Sequence, residues 1–171
     1  MPENNEWSVE FRDKSYFRLC DNQYYINNGK FEHLKEMDYC YFTGESLDFI
    51  ECREVKNIRY NLSDYVFKGI HSLALVKTGL LKNDKQFLSG INELPISKDT
   101  SINIYFIFKT KNPEQEYEHK SQLSCIQPFI ENNIRCFKKI FKEIWNVIEI
   151  QVLAYDQAKI KLSYIIDEKY I

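Results

Sequence analysis

The segment "SINIYFIFKT", residues 101–110, constrains the fold more than any other stretch of this chain. It is the clearest strand in the sequence, and its centre is apolar on both faces. Such a strand is stable only when both faces are covered, the position of an interior strand between helices. A strong amphipathic helix is predicted from Pro128 to Trp145, where Ile130, Ile134, Phe137, Phe141 and Ile144 recur at spacings of four, three, four and three. "VIEIQVLAY" (147–155) reads as the next strand. If these two strands are neighbours, the unit from 101 to 155 is a right-handed parallel crossover.

The preceding residues supply the other layers. Residues 7–28 contain short β-type runs broken by "RDK", "DNQ" and "NNG", predicting an N-terminal meander. Within it Trp7, Val9 and Phe11 alternate with polar neighbours, as in a half-buried strand. "KFEHLKEM" (30–37) reads as a short helical turn. "DYCYF" (38–42) and "LDFIECREV" (47–55), joined by "TGES", form a hairpin pattern. Residues 61–82 predict a helix with Asn61 or Ser63 as N-cap. Val66, Ile70, Leu73 and Leu80 give it an apolar face, and Gly69 and Gly79 weaken it. "DKQFLSGI" suggests another helical turn, "KNPEQEYEHK" (111–120) an exposed loop, and "KIKLSYII" (159–166) a terminal strand or mixed element. The expected architecture is an α/β (α+β) domain with a mixed central sheet between helices.

At 171 residues, without a linker, repeat or low-complexity tract, one domain is expected. It divides into the meander (1–29), a core (30–155) and a C-terminal element (156–171). Apolar residues at 44% and charged residues at 28% exclude wholesale disorder. Aromatics reach 15%, which fills a core and strand faces without any base-stacking motif. The net charge of −2 gives no global basic field for duplex phosphates, although a local positive groove does not need one. Five cysteines, Cys20, Cys40, Cys52, Cys125 and Cys136, include no C-x-x-C pair, so zinc spacing and a disulfide framework both fail. With no signal peptide and no long apolar run, a soluble, reducing, cytoplasmic protein is expected, away from membranes.

The chemistry concentrates in "EMDYCYFTGESLDFIECREVKN", residues 36–57. Side chains alternate along a strand, so Glu51 and Arg53 share one face while Cys52 and Glu54 share the other. The hairpin brings Asp38, at the open end of the first strand, near Glu51. Two converging carboxylates, a backbone carbonyl and waters suit a hard divalent cation such as Mg²⁺ or Mn²⁺.

This arrangement resembles the PD-(D/E)xK nuclease superfamily: an acid opening a strand (Asp38), about a dozen residues, then a hydrophobic strand ending in acid–x–base ("FIECR"). The following helix, strand, helix and strand also match, over roughly residues 30–155. The resemblance implies a restriction-endonuclease-like core with Asp38, Glu51 and the Cys52 carbonyl as metal ligands. It places Arg53 at the basic position, serving the attacking water or the scissile phosphate. Met37 stands where the family has Pro, and Arg53 where Lys is usual; arginine holds a phosphate but does not shed a proton. A second register, Asp48 with Glu54 and Lys56, restores the lysine. It leaves only five residues between the acids, too few to bring them from separate strands.

Lys56, Lys68 on the middle helix, and Arg135, Lys138, Lys139 and Lys142 on the late helix are candidate substrate-phosphate contacts. The bland alternative for the last four is an ordinary wet helix face. His33, His71 and His119 show no i, i+4 pairing and read as surface or packing residues. No nucleotide-binding glycine loop is present. The functional expectation is a metal-dependent nuclease acting on DNA before RNA, as a homodimer or a subunit of a larger complex. The competing expectation is a non-catalytic interaction or structural protein with the same core, in which the charges are a solvated strand end of little energetic weight.

Overall fold

The computed structural model describes residues 7–28, 33–55, 62–91, 93–110 and 145–170, with isolated positions 124, 128, 132 and 143. The chain is mixed α/β. Seven strands are described: β1 (Trp7–Phe11), β2 (Tyr16–Phe17), β3 (Tyr39–Phe42), β4 (Ser46–Val55), β5 (Ser101–Thr110), β6 (Val147–Ala154) and β7 (Ile165–Tyr170). Four helices accompany them: α1 (Gln23–Asn28), α2 (Leu62–Leu81), α3 (Lys85–Ser89) and α4 (Tyr155–Lys161).

The main sheet has the order β2-β3-β4-β5-β6, and β1 and β7 form a separate antiparallel ribbon. β3 runs antiparallel to both β2 and β4, whereas β4, β5 and β6 run parallel. The doubly apolar β5 therefore lies between two parallel neighbours, as its composition requires. The β3–β4 hairpin closes through Gly44, whose φ of +100° is the left-handed geometry a glycine adopts without a Cβ clash. Thr43 Oγ1 supports the turn by accepting from the backbone N–H of Glu45 and Ser46.

Alternation along β4 and β5 divides the core. Leu47 and Phe49 of β4 and Ile104, Phe106 and Phe108 of β5 pack with Leu73 and Val76 of α2 and Phe87 of α3. On the opposite face Ile50, Cys52, Tyr105 and Ile107 pack with Val9 and Phe11 of β1, Ala158 of α4, Leu162 and Ile165. Each fully buried side chain of this size contributes about 1.5–3 kcal/mol of hydrophobic stabilisation. Gly79 lets α2 approach α3, since a Cβ there would lie 2.4 Å from the Phe87 ring.

Several local expectations differ from the fold. β1 pairs with β7 and not with β2, and "QYYINN" is helical despite its β-type tyrosines. The Asn22 side chain accepts the Tyr24 N–H, giving α1 a start that strand propensity does not anticipate. Residues 33–37 form no helix: the Lys35 N–H is accepted by His71 Nδ1 and the Met37 N–H by Ser72 Oγ. Side chains of α2 thus satisfy backbone donors that a helical turn would have paired. The segment 159–166 divides between α4 and β7. α2 begins at Leu62, which puts Ser63 inside it. Most of the helix expected over 128–145, the loop 111–120, Cys125, Cys136 and His119 lie outside the described residues. No helix among the described residues is long and apolar enough to cross a membrane.

Candidate functional site

The hairpin register pairs Tyr39 with Ile50, and its continuation by one residue sets Asp38 opposite Glu51. Asp38 does not extend the ladder with its backbone. Its Oδ2 instead accepts the Cys52 N–H at 2.8 Å, which holds the carboxylate beside the end of β4. In an antiparallel pair the N–H and C=O of one residue face the same neighbour. The Cys52 carbonyl therefore lies on the Asp38 side, while the Cys52 thiol is buried on the opposite core face.

Glu51 is fully buried. Its Oε1 receives two cations: Arg53 Nε at 2.6 Å from the same strand face, and Lys68 Nζ at 2.7 Å from α2. Lys68 also lies 3.9 Å from Asp38 Oδ1, so one ammonium spans both acids. Glu51 Oε2 is buried and makes no hydrogen bond to any described residue. Leaving one oxygen of a buried carboxylate unpartnered is costly.

The electrostatics follow from that arrangement. Burial, and then the neighbouring Asp38 charge, push the Glu51 carboxyl from 4.5 up to about 7 despite the pull of Lys68 and Arg53. Burial also raises the Asp38 carboxyl, against the lowering influence of Lys68, the Cys52 N–H and Arg53. Burial would lower the Arg53 pKa, but the Glu51 and Asp38 carboxylates raise it overall.

Asp38, Glu51, Arg53 and the Cys52 backbone are thus gathered as the strand pattern anticipated, and Lys68 joins them at their centre. The sequence placed Lys68 only at the periphery; its rotation toward Glu51 is set by how α2 lies on the sheet. The second register does not assemble a site. Asp48 and Glu54 lie on one strand, and Asp48 is buried on the face opposite Glu51 with Tyr164 and Asn103 as partners. Lys56, Arg135, Lys138, Lys139 and Lys142 lie outside the described residues. Among the histidines, His71 accepts a backbone N–H and stacks on Phe67, a packing role. No cluster of three or more His, Cys, Asp or Glu side chains suited to a metal occurs among the described residues. An ion here would rely on two carboxylates, a carbonyl and non-protein oxygens, a set Mg²⁺ accepts.

No protein-family model matches the chain, and no curated protein or solved structure matches it either.

Proposed function

We propose that the chain is a metal-dependent phosphodiesterase of the PD-(D/E)xK type, cleaving nucleic-acid backbones. The observation that carries this reading is the orphaned Glu51 Oε2, buried beside a second carboxylate at a strand end. A buried acid that is only half satisfied by its own protein is arranged for a further cation. Hairpin, helix and adjacent parallel strands in that order support the same resemblance.

Asp38 and Glu51, with the Cys52 carbonyl, would hold Mg²⁺ or Mn²⁺. When bound, such an ion polarises a phosphoryl oxygen and acidifies a coordinated water. Arg53, 37% exposed, keeps a permanent charge toward solvent that suits a non-bridging phosphate oxygen. Lys68 provides the ammonium that Arg53 replaces in the usual motif, and it can steady charge as the phosphate becomes pentavalent.

One observation favours the non-catalytic reading: Arg53 and Lys68 already balance the charges of Asp38 and Glu51 without any ion. A cleavage assay separates the two. Purified protein is incubated with plasmid and oligonucleotides in Mg²⁺, in Mn²⁺ and in chelator. Cleavage in either metal, absent in chelator and absent for Asp38→Asn, is the expected result. Clean protein that never cuts, or an Asp38→Asn variant as active as the parent, removes the nuclease.

A further inference from the structure

We propose that Arg18 is a phosphate-binding residue beside this acid pair, gripping the nucleic-acid backbone on the Asp38 side; the assignment rests on the nuclease reading for its substrate. Arg18 follows β2 directly, and the register Phe17 with Cys40 brings it alongside Tyr39, the residue after Asp38. Its guanidinium lies over the Tyr39 ring, 5.6 Å from the centroid, a cation–π contact that holds the side chain there.

Arg18 Nε is buried and has no hydrogen-bond partner among the described residues. Its one ion-pair contact among those residues, to Asp21 Oδ2, is 4.0 Å long and 70% exposed on the acid's side, a weak surface contact beyond hydrogen-bond reach. A guanidinium is charged at any working pH, so a shielded N–H with no acceptor carries a standing cost. Packing on Tyr39 alone accounts for its position but leaves that donor unexplained. An anion supplied from outside would satisfy it.

The charge pattern identifies the anion. Arg18 stands beside Asp38 at the end of β2, on the sheet face that holds the Tyr39 ring, while Lys68 of α2 and Arg53 of β4 reach the acids from the Glu51 face. Cations on both sides of an acid pair can track successive phosphates of a strand while the acids hold a metal between them. Planar, bidentate recognition of a phosphate is the geometry arginine serves best.

The test measures binding of a fluorescein-labelled single-stranded DNA in chelator, across a series of salt concentrations, for the full chain and its Arg18 variants. Arg18→Gln is expected to weaken binding about fivefold at low salt. It should also flatten the plot of log affinity against log salt by about 0.7, the share of one phosphate contact. Arg18→Lys should keep the salt slope and still lose affinity, because a point charge replaces the fork. Should Arg18→Gln fail to fold, the lysine variant decides: lower affinity supports the assignment, and parental affinity overturns it. Variants that bind like the parent, or a parent that does not bind, overturn it too. Binding that depends on Arg18 in a protein that never cleaves removes the nuclease and leaves Arg18 standing. Metal-dependent cleavage with binding indifferent to Arg18 does the reverse.

Discussion

Glu51→Gln is expected to destroy metal-dependent cleavage, by about a thousandfold or more, while making the protein more stable above neutral pH. The stability half follows from linkage. A carboxyl held at about 7 when folded and near 4.5 when unfolded binds its proton more tightly in the native state. Between those values unfolding releases protons, so this group's contribution to stability falls as pH rises through the window. Below it both states are protonated and the contribution vanishes; above it the full difference, about 3 kcal/mol, is lost. Burial acts in the same direction on Asp38. Glutamine keeps the shape and stays neutral, so the variant should lack this decline. At pH above 7 its melting temperature should exceed the parent's by about 8 °C. Melting curves of both proteins across pH 4 to 9, roughly the span that brackets the linkage window, check this. A purely structural ion cluster predicts the opposite sign, because removing one partner of a buried pair costs about 3–5 kcal/mol. A variant less stable than the parent at high pH would favour that interpretation.

Asp48→Ala is expected to cost about 3 kcal/mol and to leave cleavage per folded molecule unchanged. Asp48 sits three positions before Glu51 on β4 but faces the other core, and it is only 2% exposed. Its Oδ2 accepts from Tyr164 at 2.6 Å, and its Oδ1 from Asn103 at 2.8 Å and Ser46 at 3.1 Å. Burial raises the Asp48 carboxyl even against those three bonds. Tyr164 in turn stacks on Tyr41, with ring centroids 3.8 Å apart. The carboxylate therefore ties β4 to the turn before β7. Alanine leaves the Tyr164 hydroxyl and one Asn103 donor without their acceptor. Urea denaturation of the variant measures the loss. Stability equal to the parent's, or activity that disappears from folded protein, would contradict this division of roles between the two buried acids.

The contrast between Asp48 and Glu51 marks how far the sequence could be read. The hairpin was legible because a short loop with Gly44 fixes its register, and register decides that Asp38 meets Glu51. β5 was legible because a strand apolar on both faces admits one environment. α2 was legible from its apolar periodicity. Lys68 was not: which residue of a helix points at a given strand depends on rotation and height over the sheet, and local pattern carries neither. Arg18 escaped notice for a related reason, since only the β2–β3 pairing brings it to Tyr39. Asp48 and Tyr164 are separated by 116 positions, and their bond exists only once α4 and β7 have packed beneath β4. α1 shows the converse failure, where tyrosines that favour strands yield to a cap from Asn22.

If two acids at the end of a hairpin are built to share a cation, the ion must bind without any substrate. Calorimetric titration of Mn²⁺ into metal-free protein, above the pH at which Glu51 ionises, asks that directly. One site per chain is expected for the parent, with affinity falling as pH drops below about 7 and no measurable site in Glu51→Gln. A parent that takes up no Mn²⁺, or a variant that takes it up equally, would contradict the account.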